Sequence, residues 1–111
     1  MDGDQEPGNP LTTERRVEVS LNEDGDLVWA GQDLGPGVGI LIKGATEYEF
    51  WRTVPAAHIP ALVAALGGQP GDDATRLVRE RFDSDVALKE FADAHGIPTR
   101  FSNWISSNWD E

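Results

Sequence analysis

The stretch ATEYEFWRTVPAAHIPALVAALGG (45–68) changes its period in mid-course. Through Val54 it is rich in aromatic and β-branched residues and alternates two faces, as a strand does. One face carries Tyr48, Phe50, Arg52 and Val54; the other carries Glu47, Glu49, Trp51 and Thr53. The first has the larger apolar content, so it is expected to face the core. Val54-Pro55 closes the strand, because a residue before proline is held in extended backbone. Beyond it, Ile59, Leu62, Val63 and Leu66 recur at helical spacing, and Pro60 fits only in the first turn, where its missing N–H is not needed. Gly67 or Gly68 then ends the helix. This strand and helix stand at the point where a run of strands gives way to a run of helices, the order that favours α+β.

Upstream, RRVEVSL (15–21) alternates Val17, Val19 and Leu21 with polar residues, and LVWAG (27–31) reads as its returning strand across NEDGD. Gly25 supplies the positive φ such a hairpin turn requires. LGPGVG (34–39) is a turn-rich connection, and 39–43 is either a third short strand or the start of a helix. GPGVG does not fit a nucleotide loop: Gly39 comes one residue early for G-x-G-x-x-G, and Ala45 stands where a P-loop needs lysine.

Downstream, DDATRLVRERF (72–82) has Asp72 or Asp73 as N-cap and an apolar stripe of Ala74, Leu77, Val78 and Phe82. Ser84 caps a third helix, with Asp85 in its first turn and Ala87, Leu88, Phe91 and Ala92 inward. His95, Gly96, Ile97 and Pro98 form a C-terminal stop, with Gly96 at C′ and Ile97 at C″. The tail RFSNWISSNWDE (100–111) is rich in serine and asparagine, so a strand is expected at least through Ile105. In that strand Phe101 and Ile105 would close the core and Trp104 would lie on the outer sheet face, while Trp109 would either clamp the C-terminus onto the domain or hang free as an anchor.

The expected order is β-β-(β)-β-α-α-α-β, a mainly antiparallel sheet with helices packed on one face. Residues 1–13, nearly devoid of apolar side chains, are expected to form a disordered acidic tail, and 14–111 a single domain. About 98 residues can bury one modest core without disulfide or metal, in keeping with the absence of cysteine.

The net charge of −11 is uneven: residues 1–35 hold nine acids and two arginines, 36–82 five of each sign, and 83–111 six acids and two bases. Such a surface repels phosphate backbones and anionic lipid and attracts a basic protein partner. Arg76, Arg79 and Arg81 concentrate positive charge on one helix, but Asp72, Asp73, Glu80 and Asp83 oppose them, and ion pairing is their expected role. With no apolar leader or bilayer-length run, the expected location is cytoplasmic.

His58 and His95 lie 37 residues apart with no cysteine and no zinc-ligand pattern, so neither metal nor other cofactor is expected. No Gly-x-Ser-x-Gly elbow surrounds a serine. The one polar cluster with chemical content is Glu47, Glu49 and Trp51, two carboxylates on one strand face about 7 Å apart beside an aromatic.

GQDLG (31–35), YEFWRTVPAAHIPALVAALG (48–67), HGIP (95–98) and FSNW (101–104) together resemble a family of small acidic actinobacterial proteins that has no established activity to transfer. Size and charge also resemble those of bacterial immunity proteins, which implies a basic toxin as partner. The expected function is a non-enzymatic, immunity-like or regulatory interaction module with an acidic surface. Its candidate contact residues are Glu47, Glu49, Trp51, Trp104 and Trp109. The alternative is a small-ligand binder or minor hydrolase using Glu47 and Glu49 beside Trp51.

Overall fold

The computed structural model describes residues 14–34 and 45–107. The acidic tail, the 35–39 turn, the 39–43 segment and Trp109 fall outside the described residues.

The described residues form a four-stranded antiparallel sheet and three α-helices. The strands are β1 (Glu14–Leu21), β2 (Leu27–Leu34), β3 (Ala45–Val54) and β4 (Arg100–Ser107), in the spatial order β1-β2-β3-β4. The helices are α1 (Ile59–Ala65), α2 (Ala74–Arg81) and α3 (Asp85–Ala94), and a 3-10 turn over Ala56–His58 leads into α1. The α+β reading therefore holds. The described residues fall into two compact units, one of 14–17, 31–34, 45–50 and 103–107, the other of 18–30 and 51–102.

The larger unit holds the helices. Leu27, Trp29 and Val54 from the strands, with Leu62, Val78, Leu88 and Ala92 from the helices, are fully buried. Their strand neighbours Val28, Ala30, Trp51 and Thr53 are only half-buried, so a single face of this part of the sheet is covered. Of each predicted stripe two residues are buried, Leu62 and Val63, Ala74 and Val78, and Leu88 and Ala92, and the others are half-buried. Trp29 is the largest side chain in this core.

Local chemistry sets the boundaries. Asn22 and Asp26 close the β1–β2 turn: the Asn22 N–H donates to the Asp26 carbonyl at 2.9 Å, and the Asn22 Oδ1 accepts from the N–H of Asp24 and of Asp26. Asp73, rather than Asp72, caps α2, accepting from the N–H of Thr75 and Arg76. The Thr75 hydroxyl donates to the same carboxylate and leads the interactions that hold the Asp73 pKa below its ordinary value. Ser84 caps α3 by accepting from the Ala87 N–H at 3.1 Å. That helix ends in the expected motif: Gly96 has φ +71, and the Ile97 N–H donates to the Ala92 carbonyl at 2.9 Å.

The smaller unit is built from strand ends. Phe50 is 4% exposed and lies across Gly31, where a Cβ would fall 2.1 Å from its ring. Only glycine admits that approach. The Arg15 guanidinium sits over the Phe50 ring at 5.1 Å and forms a bidentate pair with Asp33, at 2.6 and 2.7 Å.

Two expectations for the last strand need correction. Phe101 and Ile105 do not close a core; they are 47% and 42% exposed. In the larger unit Arg52 is buried, and its guanidinium lies 4.9 Å above the Phe101 ring.

Candidate functional site

In the smaller unit, strand alternation brings Glu47 and Glu49 onto the same face of β3, half-buried. The side-chain amide of Gln32, on β2, donates to both: to the Glu47 Oε2, and to the Glu49 Oε2 at 3.1 Å. The Glu49 carboxyl is held above the ordinary carboxylate range. The hydrogen bond it shares with Glu47 is the main cause, desolvation and the Glu47 charge add to it, and Gln32 partly offsets it. The three side chains thus form two neighbouring carboxyl groups tied by one amide, in which Glu49 holds its proton more firmly than an isolated glutamate does. A pair of this kind can give or take a proton. Neither of two cavities in the helix-bearing unit, lined by residues 59–72 and 66–81, includes it.

Trp104 lies on β4 in the same unit and is 50% exposed, with Ile105 next to it. Asn103 reaches the Tyr48 hydroxyl at 3.4 Å, and the Tyr48 ring stacks on Phe50 at 5.7 Å between centroids. Trp51 belongs to the helix-bearing unit and is half-buried rather than freely exposed. Of the five candidate residues, then, the structure brings Glu47 and Glu49 into direct association, exposes Trp104, packs Trp51 partly inward and leaves Trp109 outside the described residues.

Gln32 carries no signal in the sequence alone. A glutamine on a strand next to two glutamates on a second strand becomes one only once strand pairing is known. Arg52 and Asp85 likewise read singly, as a core-face residue and a helix-dipole partner. In the structure they meet: the Arg52 Nε and Nη2 donate to the Asp85 Oδ2 at 3.3 and 3.2 Å, and the Nη1 donates to the Thr99 hydroxyl at 3.3 Å. Both residues are 8% exposed, and their role is architectural.

Other cations also turn to their own chain. Arg76 pairs with Glu80 and Lys89 with Asp93, each one helical turn away. Arg100 pairs with Asp26 at 3.6 Å, and Arg81 lies over the rings of Phe82 and Phe91. Of the three α2 arginines, Arg76 and Arg81 are thus engaged within the chain. Among the described residues no group of three His, Asp or Glu side chains could hold a metal ion, and no helix is long and apolar enough to cross a membrane.

These features define an acidic α+β protein with a four-stranded antiparallel sheet and an exposed aromatic on an outer strand. Compared with protein-family models, curated proteins and solved structures, the chain finds no match in any of the three.

Proposed function

We propose that the protein is a non-enzymatic interaction module that binds a basic protein partner through its acidic surface, in an immunity-like or regulatory role. The observation that carries this reading is Trp104, 50% exposed on an outer strand of a chain with net charge −11. Tryptophan is a favoured anchor because it offers a large contact area at little entropic cost, and an outer strand leaves one row of backbone donors and acceptors open for pairing. Arg15, Arg52, Arg76, Lys89 and Arg100 pair with the chain's own carboxylates, which leaves the acid excess to act on a partner. Long-range attraction of this kind raises the association rate and falls with salt.

Affinity capture from the source cells at low and high salt tests it. A basic protein retained at low salt and released at high salt is expected, and Trp104→Ala should weaken capture by about tenfold or more with melting unchanged. Absence of any basic partner at low salt, or capture indifferent to Trp104, would count against the reading.

A second reading has one specific observation in its favour. The raised pKa of Glu49 beside Glu47 suits a proton donor in a small-ligand binder or minor hydrolase. It requires turnover of a chromogenic ester or glycoside that Glu49→Gln abolishes, with the fold retained.

A further inference from the structure

Within the helix-bearing unit a half-open cavity of about 340 Å³ lies against α1. Ile59, Pro60, Val63 and Ala64 form one wall, and Pro70 and Asp72 stand in the loop that faces it. The lining is apolar apart from one charged side chain, Asp72. That carboxylate is fixed by its own loop: its Oδ2 accepts the Gln69 N–H at 2.8 Å, and the Asp72 N–H donates back to the Gln69 carbonyl at 3.0 Å. Among the described residues no arginine, lysine or histidine pairs with it, whereas the neighbouring Asp73 is engaged by the helix it caps.

We propose that this cavity is a binding site for a small organic cation, a primary ammonium carried on an apolar body such as an arylalkyl group. The volume lies at the lower end of the range for small-ligand pockets, which sets the size of the guest. The apolar wall contributes the greater part of the contact by excluding water from the body of the ligand. The fixed, uncompensated carboxylate selects the charge: a cation gains an ion pair, and an anion is repelled. A neutral ligand of the same shape keeps only the apolar contact. A carboxylate that accepts one loop hydrogen bond, on a backbone tied to the same residue by a second, is already oriented, so little ordering accompanies binding. The site is independent of Trp104 and of Glu47 and Glu49, so it stands or falls apart from the functional reading above.

The test is an amide-resolved NMR titration of the full chain with 2-phenylethylammonium, with 2-phenylethanol as the neutral match and Nα-acetyl-lysine amide as a cation lacking the aryl body. Shifts concentrated in residues 59–72 are expected, with the ammonium bound about fivefold more tightly than the alcohol at low salt. Asp72→Asn should remove that preference while leaving the alcohol's affinity unchanged. Ala64→Phe, which fills the cavity from a helix surface position, should abolish binding of both with the circular dichroism spectrum preserved. Shifts elsewhere or none at all, equal affinity for ammonium and alcohol, an Asp72→Asn protein that still prefers the ammonium, or the lysine derivative binding as tightly as the aryl amine would each overturn the proposal.

Discussion

Among the described residues Arg52 and Asp85 are the two charged side chains in the core, and their energetics are asymmetric. Taking both charges out of water is costly, and their attraction with the Thr99 hydrogen bond does little more than offset that cost. Removing one partner alone leaves a buried charge unpaired. Asp85→Ala should therefore lower unfolding free energy by about 3 kcal/mol in denaturant titration. Adding Arg52→Met to that variant should recover most of the loss; a double variant no more stable than Asp85→Ala would contradict this account. Glu49 makes a prediction of a different kind. Its folded-state pKa is raised, so the stability contributed by its proton is complete below the ordinary glutamate value of 4.5 and is lost as pH rises through the folded-state value. Glu49→Gln lacks that step. Its melting temperature relative to the parent protein should climb as pH rises above the ordinary glutamate value of 4.5, and parallel curves would contradict a raised Glu49 pKa.

The elements show how far local chemistry reaches. The end of α3 depends on one residue in left-handed backbone, Gly96, and on the Ile97 amide returning to the Ala92 carbonyl. Ile97 is itself buried, at 3% exposure, so the motif both stops the helix and places a core residue. Gly96→Ala should cost about 1–2 kcal/mol, read as a lower denaturation midpoint with unchanged slope. The caps, the β1–β2 turn and all three helical stripes are legible in sequence because each is made by residues within a few positions of one another. β4 is legible as a strand for a similar reason, its serines and asparagines being poor in a helix interior. Its exposure is not. Alternation says which residues share a face, but not whether anything covers that face, and here Phe101, Trp104 and Ile105 all remain about half exposed.

Across the whole molecule, charge is the largest imbalance that folding leaves in place. Twenty acids against nine bases give a self-repulsion that the internal ion pairs do not cancel. Raising ionic strength from about 0.01 M to about 1 M shortens the screening length from ~30 Å to ~3 Å. Melting temperature should rise over that interval, and a fall would mean that the surface pairs Arg76–Glu80 and Lys89–Asp93 outweigh the repulsion. The sequence by itself determined the α+β class, the order of the four described strands and three helices, the Ser84 cap, the Gly96 stop and the sign of the net charge, because these follow from short-range backbone preferences and from composition. Tertiary structure alone decided that Arg52 meets Asp85 across 33 residues, that Gln32 ties Glu47 to Glu49, that Trp29 is buried while Trp104 is not, and that Asp72 borders an apolar cavity. Each depends on which distant segments pack together, and that is fixed by the summed burial of the whole core rather than by any local pattern.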